Sequence, residues 1–476
     1  MKQQNAPLLK KIRAQVKLER IRFHVPAHGG GPGLPPGLRR ILAGYAALDL
    51  TELPGLDDLH QPRGAIAAAE RLAAELFGAD GTYFLAGGAS AGVAAMLLAA
   101  CNPGDVVLVP RNAHGSVYHG LILSGAVPRY LPVAQSGTLP LNVTAAQVRE
   151  GLAQNPGARA VLLTSPGYHG VCADLAEIGA MVRARGALLL LDEAHGAHLR
   201  FHHGLPSHPT EVSDLCVQSW HKTLGALTPG AVLHRYGNRS CPERLRLALQ
   251  WVQTSSPPYP LLLSLDAVRR HMALRGRRAF GRVLWAARVI RRALDGYLPL
   301  LTREAVRDIG FDLDPTRLTV LCGEAGWCGL AAARSLQSAG VEAEMAFPDH
   351  FLLICGLGTG RREVFWTLRA LRQLKPVAKT SPERLPALPV PRAAITPREA
   401  AFLPARRVVL AQAAGQVAAA PVVAYPPGIP VLAPGEMITG DICAYLQAAR
   451  SAGVRWRGLD DAGRLLVCKG VNRSNE

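Results

Sequence analysis

"ALLLLDEAHGAH", residues 187–198, runs through four consecutive leucines and ends on an acid followed by two histidines. An unbroken apolar run suits a strand covered on both faces, because a strand with one wet face alternates apolar and polar residues. "DVVLVP" (105–110) and "AVLLTSP" (160–166) are runs of the same kind, each bounded by turn residues. "TYFLAGG" (82–88) reads as a strand running into glycines. Helix-like stretches lie between: "AIAAAERLAAELFGA" (65–79) has apolar residues three and four apart and closes at Gly78, and "SAGVAAMLLAAC" (90–101) reads as a buried helix. Strands alternating with helices imply an α/β domain with a mainly parallel sheet.

Working outward, this domain is expected over residues 60–298, its last part (264–298) helical, with residues 1–59 as an N-terminal arm and interface segment. A smaller α+β domain follows at 299–374, with strands near 316–322 and 351–355 and helices near 329–339 and 361–374. "KPVAKTSPERLPALPVPRAAITP" (375–397) is proline-rich and suits a linker. Residues 398–476 resume globular patterning as a further small domain.

Composition narrows the classes. With 49% hydrophobic and 18% charged residues, the chain of 476 residues can bury a large core. No run of eighteen apolar residues is present, and the charged start lacks a secretory apolar core, so a cytoplasmic protein without a membrane span is expected. Nine cysteines without a C-x-x-C pair fit neither a disulfide framework nor a zinc site, so no metal is expected. The net charge of +18 invites nucleic acid, yet the arginines are dispersed and aromatic content is only 5%, so that role is not expected.

Of the 53 basic side chains, eight are lysines, and Lys222 in "SWHKTLGALTPG" (219–230) is the only one between Lys17 and Lys375. A guanidinium stays protonated and cannot form an imine, whereas an ε-amine can lose its proton and attack a carbonyl. A chance surface lysine is the plain alternative, and the neighbours decide against it. An imine-forming cofactor such as pyridoxal phosphate needs a phosphate cradle, a carboxylate for its pyridine nitrogen and a flat group against its ring. "FLAGGASAG" (84–92) offers a helix N-terminus with Gly88, Ala89 and the hydroxyl of Ser90. Asp192 ends the leucine strand, where open α/β sheets bind ligands. His114 in "PRNAHGS" (110–116) could stack on a ring, and His195 is placed to touch cofactor or substrate.

"LLLLDEAHGAH" followed by "SWHKTLGALTPG" resembles the Orn/Lys/Arg decarboxylase family of aspartate-aminotransferase-like (fold type I) pyridoxal-phosphate enzymes. "FHVPAHGGGPG" (23–33), "DLTELPGLDDLHQPRGAI" (49–66), "VPRNAHGSVYHGLILSGAVP" (109–128), "QTSSPPYPLLLSLDAVR" (253–269) and "YPPGIPVLAPGE" (425–436) continue the likeness. The absence of an extra N-terminal wing resembles the family's short-form members. The resemblance implies that Lys222 binds pyridoxal phosphate, Asp192 pairs with its ring nitrogen and His114 stacks on it. It implies phosphate contacts at Gly88, Ala89, Ser90, Ser219 and His221, with His195 beside the cofactor. Thr254 and Ser255 would come from the neighbouring subunit of a homodimer, or of a higher oligomer. Glu436, Asp57 and Asp58 are candidates for reading a basic substrate. Three departures stand out: "AHG" at 27–29 where the family has "GHK", Ala89 where a threonine is common, and Gly115 where a lysine often follows the stacking histidine.

The implied reaction is α-decarboxylation of arginine, lysine or ornithine to agmatine, cadaverine or putrescine, with His221 or Lys222 returning the proton to Cα. Another fold type I activity (a transaminase or aldolase) and a cofactor-binding regulatory protein without turnover are the alternatives.

Overall fold

The computed structural model describes residues 2–18, 20–137, 139–375, 389–425 and 428–471. Most of the expected linker, residues 376–388, therefore lies outside the described residues.

Seven strands form the central sheet: β1 (Gly81–Leu85), β2 (Val106–Pro110), β3 (Val127–Leu131), β4 (Ala160–Thr164), β5 (Leu188–Asp192), β6 (Leu215–Gln218) and β7 (Ala231–Arg235). Their order is β1-β7-β6-β5-β4-β2-β3, and only β7 runs antiparallel to its neighbours. The leucine run behaves as its composition requires. Leu188 and Leu190 pack into the core that holds the helices Gly88–Ala100 and Gly115–Ser124. Leu189 and Leu191 pack into the core on the other face, with the helices Ala145–Gln154 and Leu175–Ala184. Because β1, β2, β4, β5 and β6 share one direction, the loops after them open along one edge. Residues 88–90, 114, 192–195 and 219–222 follow those strands and gather there.

The first residues belong to this body. Leu8 and Ile12 of the helix Pro7–Val16 are fully buried, and the Leu8 N–H donates to Asp266 Oδ2 (3.0 Å) on the helix Tyr259–Leu294. Arg269 on the same helix pairs with Asp266 (2.6 Å) and donates to the Gln3 carbonyl (2.7 Å). The first helix of the segment expected as an arm thus packs on the large body.

The helix Tyr259–Leu294 leads into an antiparallel sheet of Arg317–Val320, Phe351–Ile354 and Met345–Ala346, flanked by the helices Gly329–Ser338 and Arg361–Gln373. The last unit carries the strands Ala405–Val409 and Arg464–Cys468, the strands Val422–Ala424, Ile429–Leu432 and Trp456–Arg457, and the helix Gly440–Ser451. Arg111 fastens it to the large domain, donating to the carbonyls of Pro430 (2.9 Å) and Val431 (2.8 Å) and pairing with Glu436 (2.8 Å).

Candidate active site

Lys222 sits in the short helix Trp220–Thr223 directly after β6. Trp220 fixes that turn: it is fully buried, stacks on Phe77 at 5.4 Å, and donates from its indole nitrogen to Gln218 Oε1 (2.9 Å). Gln218 in turn donates to the buried Glu193 (2.6 Å). The lysine keeps a face open to solvent, while the protein atoms around its amine lower its pKa. Asp192 and Glu344 oppose that shift and Arg317 adds to it.

His195 lies between Lys222 and Arg317. Its Nε2 is 3.1 Å from Lys222 Nζ and its Nδ1 3.3 Å from Arg317 Nη2. Burial, then the charges of Lys222 and Arg317, hold the imidazole pKa well below its usual range, so the ring is neutral. A guanidinium only donates, which makes Nδ1 the acceptor and places the ring hydrogen on Nε2. An Nε2–H facing Nζ needs a lone pair there, and an ammonium has none. The contact therefore works with burial to ease the proton off Lys222. Arg317 is held in turn by Asp314 (3.6 Å), which also pairs with His198 (2.9 Å). Burial alone would raise Asp314, but His198 and Arg317 hold it at about 2.

Asp192 is 3% exposed, and its Oδ1 accepts the Ala194 N–H (3.1 Å). Burial raises its pKa, while the charges of His114 and Lys222 favour the carboxylate. His114 caps the helix Gly115–Ser124: its Nδ1 accepts the Ser116 N–H (3.2 Å), which leaves Nε2 to carry the hydrogen of the neutral ring. Gly428 of the C-terminal unit closes over that ring. Its φ is +93°, and a Cβ there would stand 2.9 Å from His114 Nε2, so the close approach requires glycine. Its carbonyl accepts the Gly115 N–H (3.0 Å).

The cradle is the start of the helix Gly88–Ala100, where Gly88 has φ +72°. The first-turn N–H groups of a helix have no intrahelical partner and face an anion favourably. Ala89 is half-buried, Ser90 is exposed and Ser219 is buried. His221 Nδ1 donates to the Gly230 carbonyl (3.0 Å), which leaves Nε2 as the acceptor of the neutral ring. Gln253 Oε1 accepts the Ala86 N–H (2.9 Å), so the chain runs past the cradle with Thr254 and Ser255 open to solvent.

The acids read as substrate candidates fare differently. Asp57 is a correction: its carboxylate accepts the N–H groups of Arg63 (2.9 Å), Gly64 (2.7 Å), Ile66 (2.9 Å) and Ala67 (3.2 Å), and so anchors the start of the helix Ala65–Phe77. Asp58 is exposed and accepts the His60 N–H (2.8 Å). Glu436 is sealed beneath Arg111, accepts the Ala433 N–H (2.6 Å), and is pushed by burial to about 7.

Arg317, Asp314, Tyr168 and Glu344 went unread in the sequence. Each is a single residue outside any motif, brought in by the small domain or by the loop after β4. The Tyr168 ring lies 4.8 Å from that of His195, and its hydroxyl donates to the Glu344 carboxylate. Among the described residues no group of His, Cys, Asp or Glu is arranged to hold a metal ion.

An amine whose pKa burial lowers, an open helix N-terminus, a buried carboxylate and a flat imidazole fit pyridoxal phosphate. Together with the sheet order they match the fold of the type I pyridoxal-phosphate enzymes. The sequence profile of the Orn/Lys/Arg decarboxylase major domain matches residues 6–310, and that of the family's C-terminal domain matches residues 385–463. The chain is 33% identical to the arginine decarboxylase of Halalkalibacterium halodurans over 474 residues, covering 97% of this chain and 96% of that one. It is 32% identical to the arginine decarboxylase of Bacillus subtilis over 475 residues, 97% of each. The constitutive lysine decarboxylase of Escherichia coli superposes with a TM-score of 0.84 at 21% identity, over 98% of this chain and 82% of that one. The chain belongs to the Orn/Lys/Arg decarboxylase family, and is a pyridoxal-phosphate-dependent amino-acid decarboxylase.

Proposed function

We propose that the protein removes the α-carboxylate of arginine, giving agmatine and CO₂ as an entry to polyamines. The observation that carries the chemistry is the Lys222–His195 contact of 3.1 Å, which keeps a reactive amine at the sheet edge. The choice of arginine rests on the relatives named arginine decarboxylase that are 33% and 32% identical, against 26% for the lysine decarboxylase LdcA of Pseudomonas aeruginosa.

Lys222 would bond to the cofactor aldehyde. Gly88, Ala89, Ser90, Ser219 and His221 would meet the phosphate, and Thr254 and Ser255 of a second copy would complete it. When bound, pyridoxal phosphate supplies a sink for the electron pair left as CO₂ departs. Asp192 would keep a proton on the ring nitrogen. His114 would lie against the ring, with Gly428 limiting its movement and excluding water. Lys222 Nζ, once released from the cofactor aldehyde, or His221, once its Nε2 has taken up a proton, would return the proton to Cα.

A homodimer is part of this reading. Phe23 (97% exposed), Ile21, Ile41 and Trp251 are large apolar side chains left uncovered in the single chain, which a second copy would cover. Free thiols at all nine cysteines suit a cytoplasmic setting. Among the described residues no helix is long and apolar enough to cross a membrane.

CO₂ release from arginine, lysine and ornithine by the cofactor-loaded protein tests the reading. Arginine should be the fastest of the three. A keto-acid product, or no CO₂ from any of them, would overturn it.

A further inference from the structure

We infer that Glu344, oriented by Tyr168, reads the distal guanidinium of the substrate and sets the preference for arginine. The inference rests on the arginine reading above and adds the residue that makes the choice.

Of the acids expected to read a basic side chain, Asp57 is taken up by backbone N–H groups and Glu436 by Arg111. Glu344 differs from both. It is exposed, and no Lys, Arg or His side chain pairs with it among the described residues. Its position is fixed from two sides: its N–H donates to the Leu352 carbonyl (2.9 Å) in the small domain, and its carboxylate accepts the Tyr168 hydroxyl. Tyr168 in turn flanks His195 at 4.8 Å, and His195 touches Lys222 at 3.1 Å. The carboxylate is close enough to Lys222 for its charge to strengthen that amine's hold on a proton.

A guanidinium is the side chain that such a pair suits. Its planar fork offers paired donors to a carboxylate, and its face lies well on an aromatic ring. The Tyr168 hydroxyl takes one lone pair of one Glu344 oxygen, which leaves both oxygens able to accept the fork. An ammonium lacks both the fork and the flat face, which is why arginine is favoured over lysine.

The test compares cofactor-loaded wild type, Glu344→Gln, Glu344→Asp and Tyr168→Phe. Two quantities are read: kinetic constants for arginine, and inhibition by agmatine, which carries the guanidinium without the carboxylate. A charge-assisted pair of this kind corresponds to roughly a 10- to 100-fold effect. Glu344→Gln should therefore raise KM for arginine and Ki for agmatine by about that factor, with kcat reduced less. Glu344→Asp should recover part of the loss, and the cofactor absorbance should match wild type in every variant. An unchanged Ki for agmatine in Glu344→Gln would overturn the inference while leaving the decarboxylase reading intact. Wild type that releases no CO₂ from arginine would sink both, and that is seen before any variant is made.

Discussion

Lys222 Nζ and His195 Nε2 stand 3.1 Å apart, with Arg317 3.3 Å behind the other imidazole nitrogen. This chain of contacts turns a distant guanidinium into control over an amine. Arg317 donates to Nδ1, the ring then presents an N–H to Nζ, and that N–H favours loss of the Lys222 proton.

Replacing Arg317 with Met should slow cofactor uptake. Arg317 and burial lower the Lys222 pKa, so loss of the guanidinium raises it and shrinks the neutral fraction at pH 7. The pH profile for pyridoxal-phosphate uptake by the apoprotein, followed by absorbance, should move to higher pH. Arg317→Lys, which keeps the charge, should lie between the two.

Asp192→Asn should separate binding from turnover. The carboxylate favours protonated Lys222 and His114, so its removal should not slow cofactor uptake at neutral pH. CO₂ release should nevertheless fall by about 10²-fold or more, because the charge that would face the ring nitrogen in the proposed site is gone. Single-turnover kinetics beside the uptake rate would check this.

Arg111 and Glu436 should behave as one unit. Arg111→Met leaves a carboxylate buried without its partner, at a cost of about 3–5 kcal/mol. Adding Glu436→Gln removes the stranded charge and should restore most of that loss. Denaturant unfolding of both single variants and the double variant measures the coupling.

Glu70 gives a pH signature. It is buried, accepts the Phe84 N–H (2.8 Å), and burial pushes it up to about 8. A raised acid favours the folded state while protonated, so its contribution is present below the unfolded pKa and is lost as pH rises towards 8. Glu70→Gln keeps an oxygen for Phe84 and cannot ionise. The stability of wild type relative to this variant should therefore fall between pH 5 and pH 8, by at most about 1.4 kcal/mol per pH unit. Thermal melts of the two proteins across that range give the difference directly.

The sequence is legible wherever a residue type answers a local demand. The leucine run of 188–191 divides between two cores as a doubly covered strand must. Lys222, Asp192 and His114 stand beside turn residues and strand ends, where parallel topology brings them together. Arg317 and Glu344 give no such signal, because one arginine among many and one exposed acid gain meaning only when the small domain docks. Asp57 misleads for a related reason. An acid in a charged turn looks like a substrate reader until the helix start it anchors is seen.

Reduction of the cofactor-loaded protein with borohydride, followed by peptide mass mapping, tests the assignment of Lys222 most directly. The pyridoxyl mass should appear on Lys222 and on none of the other seven lysines. A label elsewhere, or unchanged labelling in Lys222→Ala, would contradict it.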